Sequence, residues 1–280
     1  MILATITQHV PAASATAKEW HEWKNASLTT SMQCFLQRHP WFSFKKQDLF
    51  QNLSRFCNVP SIYAITRPGM NAKDVFDGND LVVFKRSIGH SSKEVRVLRR
   101  SVSSDSYDCL LTRSSVTLAD LQAWIDTTEC IVEQALTTFQ EPIPFDFKCY
   151  LVDGVVKYVG VINRNGPKTS LAYFYADSLD QLPFSKIFSA IPSVWSEGFP
   201  PYSEELKLRM RLAKAEAERI AFQALDVRGL LVSLDMYVTP MESSFKVWLG
   251  EITPRPGALH SNWLTRSFIH SLLDLSNKAD

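Results

Sequence analysis

The sequence predicts an α+β fold in which mainly antiparallel strands carry helices on one side. Three stretches carry that expectation. Residues 146–152 and 155–163 are apolar runs separated by Asp153-Gly154. Asp-Gly between such runs favours a two-residue hairpin, because both central positions need positive φ. Residues 203–225 are rich in Leu, Ala, Lys and Glu, which are strong helix formers. Residues 231–238 and 245–257 begin as two apolar runs on either side of a short polar stretch, 239–244, and read as two antiparallel strands joined by a turn. Strands in hairpins and helices in separate runs, rather than strict βαβ alternation, point to α+β.

The remaining elements follow in chain order. Segments 19–24, with Trp20 and Trp23, and 29–37 are compatible with helix. In 47–56, Leu49, Phe50, Leu53 and Phe56 recur at helical intervals, and the helix ends before Asn58-Val-Pro60. Residues 61–66 read as a strand and Arg67-Pro-Gly as a turn. Residues 81–85 form a short buried strand and 94–98 a second, alternating Val95 and Val97 with charges, across a polar loop at 86–93. Residues 109–111 are expected as a third strand. Thr117-Leu-Ala-Asp is a capping-box-like start for a helix to about residue 128. A short strand at 131–136, a linker with Pro142 and Pro144, the two hairpins with the long helix between them, and a closing helix at 262–275 complete the order. The expected division is a shortened N-terminal region (1–66), a small unit (67–136) and a large unit (137–280).

Composition narrows the function classes. With 280 residues and 45% apolar residues, the chain is long enough for a sizeable core. A formal net charge of +1 with mixed signs argues against nucleic acid as the main partner. The five cysteines (Cys34, Cys57, Cys109, Cys130, Cys149) show neither a disulfide framework nor zinc spacing, which fits a reducing cytoplasm. No apolar run approaches the roughly 18 residues of a membrane span, and the N-terminus lacks the pattern of a signal peptide.

The chemistry centres on two carboxylates. Asp235 and Glu251 each stand in an apolar strand, where an unpaired carboxylate is costly. On adjacent strands they repel unless a cation lies between them, and magnesium shared with nucleotide phosphates is one solution. The alternative is two strand-end acids, each solvated or paired with Arg. Lys85, at a strand end before a polar loop, can hold a polyphosphate together with loop amides, or be an ordinary surface lysine.

Taken in order, these pieces resemble the ATP-grasp superfamily from about Lys45 to the C-terminus, closest in flavour to its small teichuronopeptide-type (TupA-like) members. Phe145-Asp-Phe-Lys-Cys-Tyr-Leu-Val-Asp-Gly154 is similar to that group's Asp-Tyr-Lys hairpin, and Gly250-Glu-Ile-Thr253 to its Gly-Glu-Ile-Thr signature. Glu251-Ile-Thr-Pro-Arg-Pro-Gly257 resembles the Glu-x-Asn-x-x-Pro-Gly end of D-alanine–D-alanine ligases.

The resemblance implies two antiparallel-sheet subdomains enclosing ATP, and it implies roles. Lys85 is the phosphate-binding lysine, with Lys46 (preferred over Lys45) as the earlier one. Ser87, Gly89 and Ser91 belong to the mobile phosphate loop. Glu133 to Leu136 form the hinge at the adenine, and Asp146 accepts from the ribose hydroxyls. Asp235, Glu251 and Thr253 are the magnesium ligands. Lys148 and Arg164 contact phosphate or a substrate carboxylate, Arg255 acts as an oxyanion donor, and His260 with Ser261 faces the acceptor.

Each position also has a plain reading: Glu133 as a strand-end surface acid, Asp146 as the partner of Lys148, Lys148 as the solvent face of a hairpin, Arg164 as a solvated loop arginine, and His260 as a cap. Two departures stand out. Ser233 occupies the place of an Arg that stabilises the transferred phosphoryl group in the amino-acid ligases, with Arg228 nearby in sequence, and Thr253 replaces an Asn ligand.

The implied activity is an ATP- and Mg2+-dependent carboxylate–amine ligase acting through an acyl phosphate. Its substrates would be small, amino-acid- or peptide-like acids and amines in natural-product or cell-surface polymer biosynthesis. The alternatives are a phosphotransferase on the same fold and a degenerate nucleotide-binding module.

Overall fold

The structure, a computed structural model, describes residues 11, 14–76, 78–88, 94–101, 106–137, 141–166, 169–188, 203–256 and 264–272. In chain order the elements are α1 (Ala17–Arg38), α2 (Lys46–Leu53), β1 (Ile62–Thr66), α3 (Ala72–Phe76), β2 (Leu81–Arg86), β3 (Val95–Arg100), β4 (Ser106–Cys109), β5 (Ser114–Thr117), α4 (Leu118–Thr127), β6 (Cys130–Gln134), β7 (Asp146–Val152), β8 (Val155–Asn163), β9 (Ser170–Tyr175), α5 (Phe184–Ile187), α6 (Glu204–Ala224), β10 (Leu231–Pro240), β11 (Phe245–Thr253) and α7 (Arg266–Leu272). The fold is α+β with two antiparallel sheets.

The chain divides into two compact units, one of residues 1–41 with 145–280, the other of residues 42–144. The divisions therefore fall at Trp41/Phe42 and Pro144/Phe145 rather than after residues 66 and 136. Residues 1–66 do not stay together: α1 packs on β10, while α2 and β1 belong with the strands that follow them.

In the 42–144 unit the strand order is β1-β6-β2-β3-β4-β5, all antiparallel. One face is closed by α3 and α4 over Phe76, Phe84, Leu98, Tyr107, Leu121, Ile125 and Val132. Helix α4 begins with the expected capping box: Thr117 Oγ1 accepts from the Asp120 amide and the Asp120 carboxylate accepts from the Thr117 amide, an arrangement that contributes about 1 kcal/mol. The third strand lies at 106–109 instead of 109–111, with β5 following at once. The sequence cue was weak because β5, Ser114-Ser-Val-Thr117, is polar and exposed.

The other unit has the order β11-β10-β7-β8-β9. Asp153 and Gly154 take φ of 56° and 81°, as the β7–β8 turn requires. Alternate residues of a strand share a face, so this sheet has two coverings. Helix α6 packs against β7, β8 and β10, and it buries Arg209 with its guanidinium 5.0 Å from the Phe145 ring centre and bonded to the Val238 carbonyl. On the opposite face α1, α5 and α7 contribute Trp20, Leu28, Ile187 and Phe268 to a cluster with Tyr150, Tyr158, Tyr173 and Leu231. The two expected short helices at 19–24 and 29–37 are one 22-residue helix, α1, started by a Thr16/Glu19 capping box.

The end of α1 is latched by His39, which is 3% exposed. Its Nδ1 bonds the Phe35 carbonyl and its Nε2 accepts from the Asp226 amide, which fixes one neutral tautomer. Burial lowers the pKa of His39 from 6.5. The Phe35 bond and Asp226 oppose the shift, and Arg38 adds to it. A depressed folded-state pKa contributes stability that is present above 6.5 and is lost as pH falls through that value toward the folded one. Urea unfolding from pH 7.5 to 5 should therefore show a loss of stability with acidification that is smaller in His39→Phe, where His270, also lowered by burial, still contributes; the variant's overall stability should be lower by about 1–3 kcal/mol because the Asp226 amide loses its acceptor. An equal acid dependence in the variant would contradict this role.

Candidate functional site

Strand β10 sits between β11 and β7, and its polar residues set the site. Asp235 is directly opposite Glu251 on β11 and Lys148 on β7, and the row continues to Gly160 on β8 and Tyr173 on β9. One row along, Ser233 stands between Thr253 and Tyr150. On the other side Tyr237 stands beside Asp146. Asp146, Lys148, Ser233, Asp235, Glu251 and Thr253 thus lie on one face. The β10–β11 register shifts after Asp235, leaving Gly250 as the extra residue. A Cβ there would lie 2.4 Å from Tyr237 Cε2, so only glycine lets that ring rest against the strand.

The charges in this corner are interlocked. Lys148 Nζ contacts both oxygens of Asp235. Arg164 Nη2 donates to Asp146 Oδ2 at 3.2 Å, leaving Asp146 Oδ1 buried without a donor among the described residues. Asp146, Asp235 and Glu251 share this corner with Lys148 and Arg164. Burial pushes the Asp235 carboxyl up to about 7, against the pull of Lys148, with Asp146 and Glu251 adding to the rise. Burial works against charge on Lys148, but Asp235 and Asp146 hold its pKa up. The two shifts differ in origin: burial dominates at Asp235, whereas at Lys148 the neighbouring carboxylates outweigh burial, and both groups retain protons. Among the described residues no group of three or more His, Cys, Asp or Glu is placed to hold a metal. A pair of carboxylates completed by phosphate oxygens and water is, however, an ordinary donor set for magnesium, and the proton-retaining corner is one a divalent cation would neutralise.

In the 42–144 unit, the second group of residues gathers at one end of β2. Lys85, with a side chain 10% exposed, bonds Glu133 of β6, 5% exposed. Its Nζ also lies 5.6 Å from the Phe50 ring centre of α2. Glu133 Oε2 is buried without a donor among the described residues. The Lys46 amide donates to the Ser87 carbonyl at 3.2 Å, so the start of α2 is fixed beside the end of β2. Ser87 Oγ donates to Gln47, and Lys45 pairs with Glu129 at 3.1 Å. Lys46 is buried, whereas Lys45 is spent on that outer pair. Leu136 is buried just beyond β6.

Several plain readings are thereby corrected. Lys85 and Glu133 are not surface residues: both are buried and pair with each other. Asp146 pairs with Arg164 and not with Lys148. Lys148 is not on a solvent face but between Asp235 and Gly160. Arg164 is not a solvated loop arginine. Arg228 is exposed and held by Asp226 at 3.0 Å, so it does not replace the arginine missing at Ser233. Arg255 is half-buried, with Nε lacking an acceptor among the described residues. Gly89, His90, Ser91, Ser92, Gly257, His260 and Ser261 lie outside the described residues. Sequence reasoning missed Lys24, a lysine within the buried Trp20–Lys24–Leu28–Ser31–Phe35 stripe of α1. The i, i+4 spacing from Trp20 to Leu28 was the available signal.

No family model matches the chain, and no curated protein matches it. Among solved structures it is similar to a D-alanine–D-alanine ligase from Bacillus anthracis, at 15% identity over 84% of this chain and 66% of that one, with a TM-score of 0.47. A structure of purK, N5-carboxyaminoimidazole ribonucleotide synthetase, in complex with ADP is similar at 13% identity, covering 86% and 58%, with a TM-score of 0.40. The ATP-grasp ligase PsnB, complexed with a phosphomimetic variant of its minimal precursor, Mg and ADP, is similar at 11% identity, covering 93% and 69%, with a TM-score of 0.44.

Proposed function

We propose that the protein is an ATP- and magnesium-dependent carboxylate–amine ligase of the ATP-grasp superfamily. The observation that carries it is the placement of Asp235 directly opposite Glu251 on adjacent strands, with the Asp235 carboxyl buried. Asp235 and Glu251, with Thr253, hold magnesium, which when bound neutralises charge on the β- and γ-phosphates.

The chain's own residues do the rest. Lys85 and Lys46, with Ser87 and the loop containing Gly89 and Ser91, bind the triphosphate. Glu133, whose second carboxylate oxygen lacks a donor among the described residues, and Leu136 hold the adenine. Asp146 takes the ribose hydroxyls through its open oxygen. Lys148 is held on Asp235 and positioned to meet phosphate beside it, with Arg164 fixed on Asp146. The acid substrate's carboxylate oxygen attacks the γ-phosphorus, giving an acyl phosphate and ADP. An amine then adds to the acyl carbon, and phosphate leaves as the tetrahedral species collapses. Arg255 stabilises the oxyanion of that species. His260 is assigned as the group that takes the amine proton. A TupA-like role in natural-product or cell-surface polymer biosynthesis, in the cytoplasm, completes the proposal.

The test is ADP release in the presence of amino acids and peptides, with mass spectrometry of the products. The expected outcome is an amide together with ADP and phosphate in equal amounts. A phosphoester with ADP and no free phosphate would instead identify a phosphotransferase, and MgADP binding without turnover of any substrate would favour a nucleotide-binding module, the reading to which Ser233 lends weight.

A further inference from the structure

We propose that Lys148 is a resident stand-in for the metal at Asp235, and that its ammonium crosses to Asp146 on the same strand when a divalent cation enters. This role rests on the metal assignment made in the ligase reading. Lys148 Nζ contacts both Oδ1 and Oδ2 of Asp235. A metal that takes an Asp235 oxygen therefore competes with the ammonium, and Lys148 has to give way.

The neighbours of Lys148 set where the ammonium can go. Its side chain is only 23% exposed, so a position without an acceptor is costly. Toward β8, Lys148 stands opposite Gly160. A Cβ on Gly160 would lie 3.3 Å from Tyr173 Cε1 and 3.6 Å from Tyr150 Cε2, so the two rings fill that space. Their hydroxyls, 3.3 Å apart, bond each other. Toward β11, Glu251 stands opposite Asp235 and is engaged by the same metal. Along β7 itself, Asp146 lies two residues away and shares the face of Lys148. Asp146 is 4% exposed. Its Oδ2 accepts from Arg164 at 3.2 Å, and its Oδ1 is buried with no donor among the described residues. Among the charges that act on Lys148, Asp146 comes second, after Asp235. A buried carboxylate oxygen without a donor is costly, and the displaced ammonium supplies one. Such an oxygen accepts twice, so Lys148 and a ribose hydroxyl can share Oδ1. The exchange keeps the ammonium paired in both states and frees Asp235 for the metal.

The test is Mn2+ binding to the full chain without nucleotide, followed by electron paramagnetic resonance of the free ion, in wild type, Lys148→Met, Asp146→Asn and the double variant. A group that occupies the ligand lowers apparent affinity by the fraction of molecules left competent, so Lys148→Met should bind Mn2+ at least about tenfold more tightly than wild type. A lysine that only braces the sheet would give no gain on removal. Asp146→Asn should weaken binding by about tenfold in wild type but by less than about threefold in Lys148→Met, where no ammonium needs a second partner. Unchanged, weaker or absent Mn2+ binding in Lys148→Met would overturn the stand-in, and an equal effect of Asp146→Asn in both backgrounds would overturn the exchange. Should Lys148→Met fail to fold, Lys148→Gln, which also removes the charge, decides on the same criteria. MgADP binding to wild type is measured separately. A Mn2+ gain in Lys148→Met without any MgADP binding would uphold the stand-in and refute the nucleotide reading, whereas MgADP binding without the gain would refute the stand-in alone.

Discussion

If the proposed reading holds, Asp235→Asn should lower substrate-dependent ADP release by at least about two orders of magnitude, since it removes a charged ligand from the proposed magnesium site. The fold should survive the change. Burial already pushes Asp235 up to about 7, so a neutral isostere is close to a state the native protein populates. Lys148 would lose its partner on β10, yet Asp146 and Glu251 also act on it. Urea unfolding should accordingly show a stability change under about 2 kcal/mol, far less than the loss expected on orphaning a buried cation with no other acid nearby. Glu251→Gln should match Asp235→Asn in turnover. Full activity in both variants would remove the metal assignment, whereas a collapse of stability would assign Asp235 to the fold.

Lys85→Met should separate the structural part of a buried ion pair from its functional part. The single variant leaves Glu133 as a buried carboxylate without its cation and should cost about 3–5 kcal/mol. Adding Glu133→Leu restores an apolar match and should recover most of that stability. Nucleotide affinity should not recover, because the double variant lacks both the cation and the acceptor assigned to ATP. A double-mutant cycle in unfolding and in MgADP binding separates the two effects. Equal recovery of binding and stability would show that the pair only holds β2 to β6.

The hairpins and the long helix were legible because they depend on local chemistry. Asp153-Gly154 supplies positive φ at a turn, and Ser203 caps α6 by accepting from the Leu206 amide. That Asp235 and Glu251 stand on adjacent strands was also legible from two apolar runs around a short turn, whereas their direct opposition depends on the bulge at Gly250. Other features depend on contacts far apart in sequence. That Lys148 belongs to Asp235 rather than Asp146 is set by the β10–β7 register, which spans 87 residues between the partners. The burial of Lys85 and Glu133 follows from β6 inserting between β1 and β2, an order no local pattern reveals. Helix α1 was read as two pieces because its buried stripe contains a lysine and a serine, and these break the apolar periodicity, the serine where the helix meets β10.

The central claim is that the protein binds a magnesium–nucleotide complex through Asp235 and Glu251. Isothermal titration calorimetry with ADP, with and without Mg2+, tests it most directly. Binding should be detectable with Mg2+ and at least about tenfold weaker without it or in Asp235→Asn. It should also weaken as pH falls below about 7, where Asp235 takes up the proton a cation must displace. Absence of magnesium-dependent binding of either ADP or ATP, or binding unaffected by Asp235→Asn, would contradict it.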